Sequence, residues 1–314
     1  MDLELTPEQE QLDQAVVLAL ARLAGPDRAR EQGAKMDLGL LDAFDAAGFL
    51  DVGRAAGPVE AVLVVQRAAE ALACAPVAAR VLVGPLTGID GLPPAVGLVE
   101  GQSGSLVRYA TECEAFLVLD GARALLADPD DVDIEPVEPA FGSSLGRVTV
   151  RRGDDLGEGS GDRLRRAWQV AIGAEAAGTM LAAITKTVAH VTDRHQFGRP
   201  IGSFQAVQHR LARAYAMAQG TKWLSQRAAW FHHDEFLTAA AAAYACEAAR
   251  VTYTNTHQVS GAIGVTTEYG LVLHTMRLVG LQRELGGQRT HARRVAAARR
   301  QSDHSSLPSP VHAP

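Results

Sequence analysis

The sequence predicts a mainly α-helical protein in which a small β region separates two helical regions. Three stretches of different composition indicate this. Residues 5–82 are rich in Ala, Leu, Glu and Arg, residues 83–156 hold short apolar runs bounded by Gly, Pro and Asp, and residues 160–301 return to helical periodicity. We therefore expect a helical domain at 1–82, a β domain at 83–156, a helical domain at 157–301 and a disordered tail at 302–314.

Three helices are predicted in the first domain. Thr6 can cap a helix that starts at Pro7, with Gln9 completing a capping box and Gly25-Pro26 ending the helix. Its apolar positions at helical spacing are Leu12, Val16, Leu20 and Leu23. Two further helices fit residues 37–47 and 58–74.

The second domain predicts a small antiparallel sheet, because its apolar runs have the length of strands. These runs are Ala95–Val99, Leu106–Tyr109, Ala115–Leu119, Arg123–Ala127 and Leu145–Arg151. The segment Asp128–Glu138 holds six acidic residues and no basic one, and we interpret it as a solvated loop and edge strand.

Apolar stripes at helical spacing predict packed helices in the third domain. The stripes are Leu181, Ile184, Val188 and Val191, then Phe204, Val207, Leu211 and Tyr215, and finally Ala242, Cys246, Ala249 and Tyr253.

Charge, cysteine content and hydropathy exclude several classes of protein. The 314 residues carry a net charge of −6, which argues against nucleic acid as a main partner. The three cysteines lie far apart, so we expect neither a disulfide framework nor a cysteine-zinc cluster, and a reducing cytoplasm suits them. No apolar run approaches the ~20 residues of a membrane span, and the acidic N-terminus does not resemble a signal peptide.

Three short motifs suggest chemistry that their surroundings do not support. Residues 142–146 match G-x-S-x-G, but a strand-like segment follows them, whereas a nucleophile elbow needs a helix there. The Gly-rich residues 157–161 follow two aspartates and lack the Lys of a phosphate loop, so we interpret them as a linker. His232-His233-Asp234 suits a helix-end turn better than a metal site, because adjacent residues do not share a helix face.

Two segments carry more information. In the first, residues 193–209, a helix ends, a Gly-Arg-Pro corner follows, and a new helix begins with Ser203 as its expected cap. Arg194 offers a fork of donors suited to a pyrophosphate, Phe197 can cover an apolar ring, and Gln205 shares a helix face with Gln208. In the second, residues 257–269, a helix ends in small residues that let a ligand approach the backbone. An ordinary helix hairpin and a Gly-rich helix end are the alternatives.

Together, the two segments resemble the signatures of the acyl-CoA dehydrogenase family. The first signature, R-x-x-F-G-x-x-[IL]-x-x-x-Q, is filled by Arg194, Phe197, Gly198, Ile201 and Gln205. The second, Q-x-x-G-G-x-G-[FV]-x-x-E, is matched by Gln258, Gly261, Gly264, Val265 and Glu268, with Ala262 in place of the second glycine. The resemblance extends over nearly the whole chain, including Leu40–Gly48 and Gly57–Ala71.

This resemblance implies an acyl-CoA dehydrogenase-like fold, with an N-terminal helical domain, a middle β domain and a C-terminal four-helix bundle. It also implies FAD bound across a subunit interface. One subunit's β domain would hold the isoalloxazine, and its neighbour would grip the pyrophosphate and adenosine. The residues that the resemblance assigns to this second half, the trans half-site, are Arg194, Phe197, Gly198, Gln205, Gln258, Gly261 and Ala262.

The family's other half-site and its catalytic base have no clear match. Residues 97–104 match the family's flavin-contacting stretch poorly, and the β domain looks shortened by some tens of residues. The base is a carboxylate that removes an α-proton. The two family positions for it fall on Leu285 and Trp168, and Glu284 is one residue off, about 100° around a helix. We therefore expect no catalytic residue in this chain.

This pattern resembles the short non-catalytic subunits of actinobacterial heteromeric acyl-CoA dehydrogenases, which pair with a full-length catalytic subunit as α2β2 and act on steroid-CoA side chains. Two alternatives stay open: a complete homo-oligomeric flavoenzyme with a displaced base, and a flavin-free scaffold. The retained Arg194 and Gln258 argue against the scaffold, and the missing base argues against the complete enzyme.

Overall fold

The computed structural model describes residues 4–140 and 142–305. The helices are α1 Pro7–Leu23, α2 Pro26–Gln32, α3 Leu38–Ala46, α4 Val52–Ala55, α5 Pro58–Glu70, α6 Gly84–Thr87, α7 Ser160–Asp193, α8 Gln205–Trp230, α9 Glu235–Ser260, α10 Leu271–Leu281 and α11 Gly287–Ser305. The strands are β1 Val96–Glu100, β2 Ser105–Arg108, β3 Ala115–Asp120, β4 Arg123–Ala127, β5 Val132–Ala140, β6 Ser143–Val150, β7 Asp154–Asp155, β8 His195–Gln196 and β9 Arg199–Pro200. The order is as predicted: a helical N-terminal region, a small β region in the middle and long C-terminal helices.

The predicted start of the first helix is confirmed. The Thr6 side chain accepts a hydrogen bond from the Gln9 amide and the Gln9 side chain accepts one from the Thr6 amide, so the capping box is complete. The helix expected at 58–74 ends earlier, at Glu70, because Leu72 adopts a left-handed conformation with φ 59°. The short helix α2, which starts at Pro26, was not predicted.

The strands form two small sheets between the helical regions. One has the order β1-β3-β4-β7 and the other β2-β6-β5. The expectation of a purely antiparallel sheet is wrong at one place, because β1 and β3 pair in parallel, with Val96 opposite Ala115. A connection that leaves the first sheet for the second and then returns allows this pairing. The acidic segment forms the edge strand β5, as expected.

The long helices α7, α8 and α9 pack on one another, with α10 and α11 against α9. Residues 194–204, which include the β8–β9 hairpin, connect α7 to α8, and a short turn at 231–234 connects α8 to α9. α7 is long and apolar enough to cross a membrane by composition alone, but 83% of its most apolar window is buried inside the protein, as in a core helix. Two of the predicted stripe positions are wrong: Val188 and Tyr215 are 44% and 51% exposed. In α8 the buried face is instead made of small residues such as Ala214 and Ala218.

Glycine sets how closely α7 packs on α5. A Cβ on Gly178 would lie 2.0 Å from the backbone oxygen of Gln66, so only glycine fits at this crossing. This contact fixes α7, and with it the site at its C-terminal end, relative to the N-terminal helices.

The motifs set aside as uninformative lie as expected. Ser143 and Ser144 lie on β6, with no helix directly after them. Residues 157–159 form the loop before α7, but Ser160 and Gly161 of the expected linker belong to the first turn of that helix. Asp234 caps α9 in the turn after α8. α11 continues to Ser305, into the segment expected to be a tail, and residues 306–314 lie outside the described residues.

Candidate functional site

The first signature forms a tight hairpin at the end of α7. β8 and β9 pair across a turn in which Phe197 and Gly198 have φ of 54° and 78°. Two successive positive φ values are typical of a type I′ turn, which glycine tolerates and phenylalanine does not favour. The turn holds the Phe197 ring 90% exposed, with its centroid 6.0 Å from that of the Phe204 ring in an edge-on arrangement. A large apolar side chain so presented has the geometry of a contact for another molecule.

Arg194 follows the last residue of α7 and precedes the hairpin. Its amide donates to the His190 carbonyl, and its own carbonyl accepts from Ile201, so its backbone is held on both sides. The guanidinium is exposed and has no carboxylate within ion-pairing distance among residues 4–140 and 142–305. An unpaired arginine on a fixed backbone can receive an anion without first breaking an ion pair.

The second signature lies at the end of α9. Gln258 is exposed on the last turn, and Gly261 follows with φ 64° and ψ −149°. A Cβ at Gly261 would meet nothing within 4 Å, and Ala262 beside it is exposed, so the backbone here is open to a ligand.

The structure brings the two signatures to the same end of the bundle. Tyr269, at the close of the second segment, donates from its hydroxyl to the Lys186 carbonyl over 2.9 Å. Its ring lies 5.3 Å from that of His190, one turn before Arg194. The predicted residues around the start of α8 are close by, with Gln205 exposed in its first turn.

The expected helix cap at Ser203 is wrong. α8 starts after Phe204, which provides no side-chain cap, and the Ser203 hydroxyl instead donates to the Pro200 carbonyl. A 3-10 turn over Ile201–Ser203 places Ser203 too early to reach the α8 amides. Gln208 turns back to donate to the Gly202 carbonyl, whereas the Gln205 amide has no hydrogen-bond partner within residues 4–140 and 142–305.

A second cluster lies inside the protein, where the sheets meet the bundle. Arg108 at the end of β2 makes two contacts to the Glu175 carboxylate, at 2.8 and 3.2 Å, and a third to Glu284 at 3.3 Å. The indole of Trp168 donates to the other oxygen of Glu284 over 2.6 Å. Sequence reasoning missed Arg108 and Glu175. A lone acid in the apolar stretch of α7 was the available signal for Glu175.

The orientation expected for Glu284 is wrong. Glu284 was expected to point away from the site on a regular helix. The segment is instead a 3-10 turn in which Leu285 has φ 53°. This left-handed residue breaks the helical rotation, so the Glu284 carboxylate reaches Trp168, the second position at which the family can place its base.

The electrostatics of this cluster depend on burial. Burial raises the pKa of Glu284, and the Arg108 charge opposes this only in part. Burial also raises the pKa of Glu100, at the end of β1. Burial alone would lower the pKa of Arg108, but Glu175 and Glu284 more than offset this and hold it charged. The Glu284 carboxylate is thus occupied by one arginine and one indole donor.

The inner cavity is small. The largest space beside the cluster has a volume of about 260 Å³ and is lined by Leu98, Glu100, Leu106, Arg108, Trp168 and Glu284, among others. Two neighbouring cavities that also share Arg108 measure about 40 and 50 Å³. Small-molecule sites are usually about 300–1,000 Å³. The exposed Arg194 guanidinium and the open backbone at Gly261 fit a diphosphate group, whereas this cavity does not fit a tricyclic flavin together with an acyl thioester.

Comparison with known proteins agrees with these features. Residues 168–300 match the family model of the acyl-CoA dehydrogenase C-terminal domain. The acyl-CoA dehydrogenase FadE34 of Mycobacterium tuberculosis is 32% identical over 222 residues, which cover 67% of this chain and 31% of FadE34, so the match spans about a third of that protein. The acyl-CoA dehydrogenase IpdE2 of Mycolicibacterium smegmatis is 27% identical over 322 residues, covering 93% of this chain and 99% of IpdE2.

Two solved structures share the fold. One chain of the ChsE4–ChsE5 complex from Mycobacterium tuberculosis superposes with a TM-score of 0.81 at 22% identity, covering 98% of this chain and 100% of that one. A variant of the Tcur3481–Tcur3483 steroid acyl-CoA dehydrogenase superposes with a TM-score of 0.81 at 20% identity, covering 95% of this chain and 99% of that one. With both signatures, the domain order and these matches in agreement, the chain belongs to the acyl-CoA dehydrogenase family.

Proposed function

We propose that this chain is a subunit of a heteromeric, FAD-dependent acyl-CoA dehydrogenase. It supplies the trans half of the FAD site, and a full-length partner supplies the isoalloxazine pocket and the catalytic base. The reaction of the complex is α,β-dehydrogenation of an acyl-CoA, with a steroid side-chain CoA thioester as the favoured substrate class. The assembly is α2β2 and cytoplasmic.

One observation carries this proposal. The residues assigned to the trans half-site are exposed, whereas the inner cavity of the chain is lined by the ion-paired side chains of Arg108 and Glu284. Arg194 and Phe197 are exposed, and the Arg194 guanidinium has no carboxylate within 4 Å in the part of the chain that the structure describes. Inside, Arg108 forms ion pairs with Glu175 and Glu284 in the space where a complete enzyme would need room for flavin and substrate. The heteromeric ChsE4–ChsE5 complex and the steroid enzyme named above support the partner and the substrate class.

In this arrangement each residue has a separate task. Arg194 would pair with the pyrophosphate through its guanidinium, Gly261 would let the phosphates approach the backbone, and Phe197 would exclude water over the nucleotide. FAD supplies the hydride acceptor. The proton acceptor would lie on the partner subunit.

The test is co-expression of this chain with a full-length acyl-CoA dehydrogenase from the same genome. We expect a 2:2 complex by light scattering and acyl-CoA oxidation with an artificial electron acceptor only when both subunits are present. Oxidation of an acyl-CoA by this chain alone would reject the subunit assignment.

A complete enzyme with a displaced base is the second candidate, and one observation favours it. The Glu284 carboxylate lines the 260 Å³ cavity together with Glu100, so an acid does reach the interior. Its bonds to Trp168 and Arg108 argue against a free proton acceptor. The Glu284→Gln variant described below separates the two candidates.

A further inference from the structure

A row of exposed aromatic side chains runs along α8. Tyr215, Trp223 and Trp230 are 51%, 44% and 58% exposed. About two helical turns separate each from the next, so the three lie on one side of the helix, and we call them the aromatic stripe. Gln219, between the first two, donates to the Tyr215 hydroxyl over 2.9 Å. Grouped apolar side chains at a surface mark contact sites, and Tyr and Trp are enriched at the centres of protein interfaces.

The surroundings of the aromatic stripe allow a close and extended contact. The stripe spans 15 residues, which corresponds to about 22 Å of helix. Ala212 and Ala216, next to Tyr215, are exposed, and their small side chains leave room for another backbone to approach. Phe231, 45% exposed, continues the apolar surface beyond the end of α8.

The charge around the stripe is positive. α8 holds four cationic side chains and no acidic one, namely Arg210, Arg213, Lys222 and Arg227. Among residues 4–140 and 142–305, none of these four cations has a carboxylate within 4 Å. The whole C-terminal helical region shares this sign. Residues 160–301 contain 18 Arg and Lys and eight acidic residues, whereas residues 1–159 contain 12 and 27.

This charge distribution selects the kind of molecule that can cover the stripe. Two copies of the chain packed through α8 would bring like charges together, which disfavours the contact. A protein surface that carries acidic residues around an apolar centre would instead be attracted. The net charge of −6 for the whole chain disfavours nucleic acid as the occupant.

The stripe is also continuous with the proposed trans half-site. Gln205 lies 18 residues before Trp223, which is five full helical turns, so both residues lie on the same face of α8. If the proposed function is correct, a partner subunit contacts the flavin nucleotide near Gln205. The same partner, extended along α8, would then reach the aromatic stripe.

We propose that the aromatic stripe of α8 is the docking surface for the full-length partner subunit, which presents a matching surface with an apolar centre and an acidic rim. This inference rests on the proposed function and adds a contact outside the flavin site, because no residue of the stripe belongs to either family signature. Trp223 and Trp230 carry the affinity as buried anchors. The cations of α8 lie at the rim, where each contributes little alone and together they favour an acidic partner over a second copy.

The test is the affinity of this chain for the full-length acyl-CoA dehydrogenase with which it forms a complex. The Trp223→Ser/Trp230→Ser variant should bind at least about a hundredfold more weakly than the wild type, because two interface anchors are lost. Val17→Ser/Leu18→Ser is the matched control, since both side chains are exposed on α1, at 43% and 70%, and it should bind like the wild type. Thermal unfolding of each chain alone checks that both variants fold. Wild-type affinity should fall when NaCl is raised from about 50 mM to about 500 mM, because opposite charges are screened.

The outcomes separate this surface from the proposed function. If the tryptophan variant binds as tightly as the wild type and the complex carries FAD, the docking surface is wrong and the proposed function stands. If the wild-type chain binds no full-length acyl-CoA dehydrogenase of its genome, both are wrong. Self-association of the chain alone that the tryptophan variant abolishes would make a second copy the occupant, and an affinity that does not fall with salt would exclude an acidic one. Either result would overturn the proposal.

Discussion

At the scale of single residues, two arginines have opposite surroundings and opposite roles. Arg108 is half-buried and ion-paired with two carboxylates, at 2.8 and 3.3 Å. Arg194 is exposed, held by its backbone and unpaired among the described residues. Removing one partner of a buried ion pair leaves an uncompensated charge and costs about 3–5 kcal/mol, whereas an exposed unpaired arginine contributes little to folding. Arg108 thus stabilises the fold, and Arg194 is available for binding.

Arg194→Ala should lower the FAD affinity of the complex about tenfold to hundredfold and leave thermal stability unchanged. The physical reason is the loss of one charge-assisted contact, worth roughly 1.5–3 kcal/mol. Flavin retention is measured by absorbance after serial dilution. Arg227→Ala, at the opposite end of α8, is the matched control. Equal flavin retention in the two variants would reject this role for Arg194.

Glu284→Gln should leave turnover of the complex within a few-fold of wild type. Its carboxylate is occupied by Arg108 and Trp168, and the amide keeps the side-chain volume. Loss of a true general base lowers the turnover rate about a hundredfold to ten-thousandfold, so the two outcomes are easily distinguished. Initial rates are measured at saturating acyl-CoA. A collapse of the rate with FAD still bound would make Glu284 the base and favour the complete enzyme.

At the scale of elements, the sequence predicts helices and strands well and their relative placement less well. The Thr6 capping box and the strand over Ala115–Asp120 follow from local patterns that the structure confirms. The parallel pairing of β1 with β3 does not follow from local patterns, because it depends on a contact between distant segments. The same is true of Glu284, whose direction depends on the left-handed Leu285 beside it. Local periodicity does not specify a single residue of unusual backbone conformation.

Gly178→Ala should destabilise the protein by about 1–3 kcal/mol, because its Cβ would meet the Gln66 oxygen at 2.0 Å and force α5 away from α7. Gly39→Ala is the matched control, since its Cβ meets only the Asp37 carboxylate, at 3.5 Å. It should be neutral or slightly stabilising. Denaturant unfolding followed by circular dichroism measures both. A Gly178→Ala protein as stable as the control would contradict the close packing described here.

At the scale of the whole molecule, two buried histidines make stability depend on pH. Burial lowers the pKa of His274 to about 3 and that of His291 to about 4. Between these values and the ordinary 6.5, the unfolded chain binds more protons than the folded one. The contribution of these two histidines to the free energy of unfolding is therefore fully present above pH ~6.5, and it is lost as the pH falls toward 4. The raised pKa values of Glu100 and Glu284 act in the opposite direction.

The His291→Gln variant isolates this effect. Gln can keep the hydrogen bond to Gln169 but does not titrate. Between pH 7 and pH 4.5, the variant should gain about 2 kcal/mol of unfolding free energy relative to the wild type. Urea unfolding at the two pH values gives this difference. A difference that does not change with pH would show that His291 is protonated in the folded protein.

The two signatures and the family could be predicted from the sequence, because Arg194, Phe197 and Gln258 stand at fixed spacings. The ion network could not, since it joins residues 108, 175 and 284 through the tertiary fold.

The central claim is that this chain holds half of a flavin site. It is tested most directly by the FAD content of the purified chain alone and of its complex with the full-length partner, measured by flavin absorbance per mole of protein. We predict little or no flavin in the chain alone, because its inner cavity of about 260 Å³ is crossed by the Arg108 network. The complex should carry FAD in fixed proportion to the heterodimer. A yellow, stoichiometric flavoprotein obtained from this chain alone would contradict the account.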